Sequence, residues 1–216
     1  MNVTVIDYGR SNLLSVQRAL EYCGAQVDLA KEPAEIETAE KLVLPGVGAF
    51  ADGMEMLGKT QLDRAILQKV RQGTPLLGIC LGMQMLFEQS SEGGVCKGLG
   101  LLPGRVEHLP MQGLDGETLK CPQVGWSALH FLPAAKNSVL RNVPAGGQAY
   151  FVHSYHAVPA REGDRLADVR YGGVRVCAAV QRDNVMGVQF HPEKSGEVGL
   201  SILRTFLQNT SSELSN

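Results

Sequence analysis

Cys80 lies in the run Thr74-Pro75-Leu76-Leu77-Gly78-Ile79-Cys80-Leu81-Gly82-Met83-Gln84, with a glycine two residues to either side. The apolar stretch before it reads as a buried strand, and a helical pattern begins at Leu81. A cysteine in such a strand-to-helix turn is lifted clear of its sheet and pointed at a pocket. The helix that follows aims its N-terminus at the sulfur and favours the thiolate, the reactive form. The competing reading is a buried cysteine that packs as a small hydrophobe; the paired glycines favour a nucleophile.

A cysteine nucleophile needs an imidazole to manage its proton, and the imidazole needs an acceptor to fix its tautomer. Val185-Met186-Gly187-Val188-Gln189-Phe190 reads as a strand, with His191-Pro192-Glu193 at its tip. Residues two apart in an extended segment point to the same side, so His191 and Glu193 can lie together. Pro192 stiffens the pair. Attack on an amide also creates an oxyanion that backbone N–H groups must meet. Leu81, just after the nucleophile, offers one. The loop Pro45-Gly46-Val47-Gly48, at the tip of the apolar strand 41–44, can offer the other through Val47 or Gly48. The loop alone could be an ordinary strand-to-helix turn, and it lacks the Gly-x-Gly-x-x-Gly of a dinucleotide site.

These residues must be held by an alternating chain. Strand 3–7 leads into a helical pattern from Leu13 to Leu20, closed by Gly24. Strands near 26–30 and at 41–44 follow, then helices near 52–57 and 61–72, the latter stopped by Gly73 and Pro75. After the cysteine turn the pattern predicts a helix over 82–90. The second half predicts strands at 104–109, 118–121, 149–158, 166–171, 174–181 and 185–190, a turn at Val124-Gly125-Trp126, and an amphipathic helix over 196–208. The fold class expected is α/β: a mainly parallel sheet covered by helices, with an antiparallel extension. Ligands of such sheets bind beyond the carboxyl ends of the strands, where Val47, Cys80 and His191 all fall. One domain over 1–216 is the economical reading, with a frayed polar tail at 210–216.

Composition narrows the function classes. The 216 residues suffice for a sizeable core, and with 19% charged residues and a net charge of -2 there is no electrostatic footprint for nucleic acid. No apolar run reaches the length of a membrane span. The start Met1-Asn2-Val3-Thr4-Val5-Ile6 enters a strand directly, without a leader pattern. The 5 cysteines, at 23, 80, 96, 121 and 177, have no framework spacing, which fits a cytoplasmic protein. No metal-ligand spacing is present.

The blocks Pro45-Gly46-Val47-Gly48, Gly78-Ile79-Cys80-Leu81-Gly82-Met83-Gln84 and Gln189-Phe190-His191-Pro192-Glu193-Lys194-Ser195 resemble the three signatures of class I, triad-type glutamine amidotransferases. Ile6-Asp7-Tyr8-Gly9 with Asn12, Val124-Gly125-Trp126 and Tyr150-Phe151-Val152-His153-Ser154-Tyr155 are further similar to the glutaminase subunits of imidazole glycerol phosphate synthase. The similarity runs from about residue 3 to residue 208. It implies the fold of that family (flavodoxin-like), and Cys80, His191 and Glu193 as the triad. It implies oxyanion donors at Val47, Gly48 and Leu81, and substrate binding by Gly46, Gln84, Ser154 and Tyr155. The implied substrate is glutamine, with no cofactor and no metal. The implied partner is a (β/α)8-barrel cyclase, forming a heterodimer that uses the ammonia in histidine biosynthesis, with Asn12, Trp126, Tyr150 and Lys194 near the interface. Without the resemblance, Gln84 could be plain helix surface, Trp126 core, and Lys194 a solvated charge.

Three positions depart from that pattern: Ser11 where a second glycine is usual, and Gln123 and Ser127 where histidine and asparagine are usual. All lie on segments expected to face the partner. A related subunit feeding ammonia to another synthase, such as one making an amidino-sugar, therefore stays open. So does a stand-alone cysteine hydrolase. A non-catalytic scaffold on this fold would be expected to lack a triad member.

Overall fold

The computed structural model describes residues 1–9 and 12–209; the departure at Ser11 and the tail 210–216 lie outside the described residues. Strands β1 (Asn2–Ile6), β2 (Gln26–Ala30), β3 (Leu42–Gly46) and β4 (Leu76–Cys80) alternate with helices α1 (Leu13–Tyr22), α2 (Pro33–Glu37), α3 (Phe50–Lys59) and α4 (Leu62–Arg71). A single short turn of helix, α5 (Leu81–Met85), follows the cysteine. Then come β5 (Phe87–Ser90), β6 (Cys96–Lys97), β7 (Leu102–His108), β8 (Gln123–Ala128) and β9 (His130–Phe131). The remainder is β10 (Gln148–His153), β11 (Tyr155–Pro159), β12 (Arg165–Tyr171), β13 (Val174–Arg182), β14 (Val185–Val188) and α6 (Gly196–Gln208).

The central sheet runs β2-β1-β3-β4-β14-β13-β12-β9, parallel from β2 to β14 and antiparallel beyond. Alternate strand residues point to opposite faces. Val3, Val5, Val43, Leu77 and Ile79 enter one core with Val16 and Leu20 of α1 and Ile202, Leu203 and Phe206 of α6. Ile6, Leu42, Leu44 and Leu76 enter the other, against Leu57 of α3 and Leu62, Ile66 and Val70 of α4. The spacing of four in Leu62, Ile66 and Val70 is why that segment is a helix with one buried stripe. Full burial of each such aliphatic side chain stabilises by about 1.5–3 kcal/mol. The sheet is thus covered on both faces, as the expected α/β class requires.

Several expectations are corrected. The helix placed over 82–90 ends at Met85, and residues 87–90 form β5. The carbonyls of Met85, Leu86 and Phe87 accept the amides of Leu99, Leu101 and Gly100, which diverts them from continuing a helix. Residues 81–87 are buried all round, and such an apolar run carries no period to separate helix from strand. The strand expected over 149–158 breaks at Ser154: β10 pairs with β8, whereas β11 pairs with β7 in a second, four-stranded sheet. The turn expected at Val124-Gly125-Trp126 is the middle of β8, with Trp126 opposite Tyr150 and Val124 opposite Val152. No strand forms at 118–121, where Thr118 makes only an isolated bridge to Gln112. The unforeseen α2 had a legible start: Pro33 at its first turn and a capping box between Glu32 and Glu35.

Candidate active site

The carboxyl ends of β3, β4 and β14 bring the three motif blocks together. Gly46, last of β3, is in register with Cys80, last of β4, so the Val47–Gly48 loop begins beside the sulfur. Val188 of β14 is in register with Ile79, which carries Gln189, Phe190 and His191 out alongside Cys80. Cys80 has φ 56 and ψ -113, a region that a side chain occupies only under strain of about 1–3 kcal/mol. The flanking glycines make the turn possible. A Cβ on Gly82 would lie 1.7 Å from the Leu44 carbonyl oxygen, and one on Gly78 would lie 2.8 Å from the Gly82 backbone. Only a chain without side chains at both positions can fold this tightly over β3.

His191 Nδ1 stands 2.8 Å from Glu193 Oε1, and both side chains are buried, with 4% and 0% exposure. Burial alone would push the imidazole down in pKa. Hydrogen bonding with Cys80 and Glu193 outweighs that and takes His191 up to about 10. Near neutral pH the ring therefore carries its proton, with the Glu193 carboxylate 2.8 Å away to offset that charge.

A cavity of about 330 Å³ opens over the sulfur. Its wall includes Val47, Gly48, Cys80, Leu81, Gln84 and His191, together with Ser154 and Tyr155. These are eight of the residues marked by the sequence. Glu193 stands behind His191, and Gly46 is fully buried beneath the loop, where a Cβ would meet the Tyr8 hydroxyl at 2.4 Å. Gln84 is buried, which excludes plain helix surface. Its nitrogen donates to the Tyr155 carbonyl at 2.8 Å and to Gln189 Oε1 at 3.0 Å.

Of the residues expected at the interface, Trp126, Tyr150 and Lys194 form a separate cluster. Trp126 is 53% exposed and meets Tyr150 edge-to-face at 6.1 Å between ring centres. Lys194 Nζ lies 6.0 Å from the centre of the same Tyr150 ring. This excludes the core reading of Trp126. Asn12 precedes α1 and accepts a hydrogen bond from the Ser15 hydroxyl at 3.1 Å. Gln123 is buried, and its amide donates to the Ser127 hydroxyl at 3.2 Å, so two departures from the family pattern pair with each other.

Sequence reasoning missed Glu92, Pro122, Val152 and His153 on the cavity wall. Glu92 comes from the loop after β5, its carboxylate accepting the Phe50 amide at 2.7 Å. Glu92 Oε2 is thereby a helix cap for α3, a long-range pairing with no local sequence signal. His153 is pushed down to about 4 by burial, against a hydrogen bond to the Tyr155 carbonyl, so it stays neutral. No helix among the described residues is long and apolar enough to cross a membrane.

Residues 4–210 match the family model for glutamine amidotransferase class-I. The chain is 48% identical over 210 residues to the imidazole glycerol phosphate synthase subunit HisH 1 of Legionella pneumophila (strain Lens), covering 96% of this chain and 99% of that protein. It is 48% identical over 204 residues to the HisH subunit of Bacillus subtilis (strain 168), covering 94% of each. Among solved structures it is similar to a glutamine amidotransferase with a TM-score of 0.73 at 19% identity, covering 95% of this chain and 97% of that one. It is also similar to PurLQS from Thermotoga maritima, with a TM-score of 0.70 at 21% identity, again covering 95% and 97%. At those identities the solved structures speak to the fold alone. The matched length, the level of identity and the elbow cysteine together place the chain in the class-I glutamine amidotransferase family, in its HisH branch.

Proposed function

We propose that Cys80, His191 and Glu193 hydrolyse glutamine to glutamate and ammonia, and that the ammonia passes to a (β/α)8-barrel cyclase. The chain is then the glutaminase subunit of an imidazole glycerol phosphate synthase, acting in histidine biosynthesis in the cytoplasm as one domain. The observation that carries this reading is the buried 2.8 Å His191–Glu193 pair, whose His191 shares a cavity with a strained elbow cysteine.

The chemistry follows from that geometry. The Cys80 sulfur attacks the side-chain amide carbon of glutamine, forming a C–S bond while the carbonyl oxygen takes the electron pair. The Leu81 amide and an amide from Val47–Gly48 hold that oxyanion. Collapse breaks the C–N bond, and the His191 imidazolium gives its proton to the departing nitrogen. His191, now neutral, takes a proton from water, which hydrolyses the thioester to glutamate and restores the sulfur. Glu193 keeps the ring in one tautomer and offsets its charge. In the cavity, Glu92 supplies a carboxylate for the α-ammonium, and the main chain at Ser154 and Tyr155 borders the amino-acid end. Both Gln84 amide hydrogens are engaged inside the protein. Its oxygen is the atom left for substrate.

The Trp126–Tyr150–Lys194 cluster, with Trp126 exposed, supports docking of the cyclase on this face, and Asn12, just before α1, is proposed to join it. Aromatic residues exposed on a free subunit are what a desolvated interface core is built from. Diazo-oxo-norleucine, a glutamine-like electrophile, tests the assignment of the nucleophile. Peptide mass spectrometry should find the label on Cys80 and none on the other four cysteines. Absence of label on Cys80 with the cyclase present would sink the reading.

A further inference from the structure

Gln189 sits two residues before His191 and is fully buried, at 0% exposure. It belongs to a short relay of amides that ends on the nucleophile. Gln84 Nε2 donates to the Tyr155 carbonyl at 2.8 Å and to Gln189 Oε1 at 3.0 Å. Gln189 Nε2 stands 3.8 Å from Cys80 Sγ. Chemistry dictates the direction of this relay. A main-chain carbonyl can only accept, so Gln84 must turn its nitrogen toward Tyr155. That same nitrogen meets Gln189, which must answer with its oxygen. The Gln189 amide hydrogens are thereby turned to the sulfur.

The sulfur has a second neighbour of opposite preference. The Val152 carbonyl lies 4.0 Å away and can accept only from the protonated thiol. A donor on one side and an acceptor on the other make the balance between thiol and thiolate sensitive to the donor.

We infer that Gln189 is a fixed, neutral hydrogen-bond donor to the Cys80 sulfur, favouring the thiolate and holding it on its line of attack. The inference rests on the glutaminase reading of Cys80 but goes beyond the triad. Gln189 adds no charge to the site. It stabilises the thiolate without the repulsion that a second cation would exert on a protonated His191. Gln84 acts through Gln189 as a positioning residue, in addition to any contact with substrate.

The test is the pH dependence of Cys80 alkylation by iodoacetamide in the isolated chain, followed on the Cys80 peptide by mass spectrometry. Gln189→Met keeps the length of the side chain and removes the donor. The titratable groups facing the sulfur are His191 with Glu193 behind it, Tyr8, His153 and Glu92. None of them is changed by this variant. The pH curve of Cys80 alkylation is expected to move up by about one pH unit, so that the rate on its rising limb falls about tenfold. Gln84→Met should move it in the same direction by less, because Gln189 keeps its donor and loses only its orientation. A Gln189→Met protein that melts with the wild type and whose curve superimposes on the wild type overturns the assignment. If Gln189→Met fails to fold, Gln84→Met decides: an upward shift supports the relay, and an unchanged curve overturns it. Wild-type chain that is alkylated at Cys80 yet never releases glutamate, even with the cyclase, would overturn the glutaminase reading instead.

Discussion

Gly82→Ala should damage both the fold and the chemistry, because the elbow leaves no room for one methyl group. A Cβ there would lie 1.7 Å from the Leu44 carbonyl oxygen and 2.8 Å from the Leu44 carbonyl carbon. Close C···O approaches in proteins stop near 3.3 Å, so α5 and β3 must separate by about 1.5 Å. Both atoms in the clash are held by main chain, so no side-chain rotation relieves it. Overpacking costs about 1–3 kcal/mol where side chains can adjust, and this site belongs at or above the top of that range. For a chain of this size about 3 kcal/mol lowers the melting temperature by roughly 6–12 °C. The displacement also moves the Leu81 amide off the oxyanion position, and a misplacement of about 1 Å costs on the order of a hundredfold in rate. Thermal melting by circular dichroism and glutamate release with the cyclase present are the two readouts. A variant that melts within about 2 °C of wild type and keeps its turnover would show that α5 does not seat on β3 as described.

Glu193→Gln should shift the pH behaviour of the site. His191 is raised to about 10 against its ordinary 6.5, so it stabilises the folded state fully below about pH 6.5. That contribution is lost as pH rises through 10. The stability gap between wild type and variant, read from urea melts, should therefore be widest near pH 6 and shrink toward pH 10. The alkaline limb of kcat/KM should move to lower pH in the same variant; an unmoved limb would mean that Glu193 does not set the ring's proton affinity. Trp126→Ala should weaken cyclase binding by about thirtyfold, a loss of about 2 kcal/mol. Its melting temperature should hardly change, since the side chain is 53% exposed; titration calorimetry against unchanged affinity would dismiss the docking face. The buried Tyr8 hydroxyl has no hydrogen-bond partner among the described residues. Tyr8→Phe should then leave stability unchanged or raise it by up to about 1 kcal/mol, and a marked drop in melting temperature would reveal a partner.

The site was legible where chemistry is written in adjacent residues. Gly78, Cys80 and Gly82 state the elbow by themselves, and His191-Pro192-Glu193 places two side chains on one side of a strand tip. The α/β alternation of the first half was legible for the same reason: each helix carries one stripe and each strand two faces. What was hidden depends on partners far away in sequence. The run after Cys80 is apolar on every side, so its switch from helix to strand at Phe87 is decided by the amides of residues 99–102. The change of sheet at Ser154 is decided by β7 and β8, which lie far upstream. Trp126 sits in a strand whose glycine suggested a turn, because Gly125 at φ 134 is accommodated opposite Phe151 within the ladder. Glu92 and Gln189 were missed for one reason: each acts through a contact to a residue many positions distant.

Glutamate release from glutamine by the purified chain, alone and then with the barrel cyclase and its nucleotide ligand, tests the central claim most directly. The account predicts turnover that the cyclase stimulates strongly and that Cys80→Ala abolishes. Turnover that persists in Cys80→Ala, or none in either setting, would contradict it.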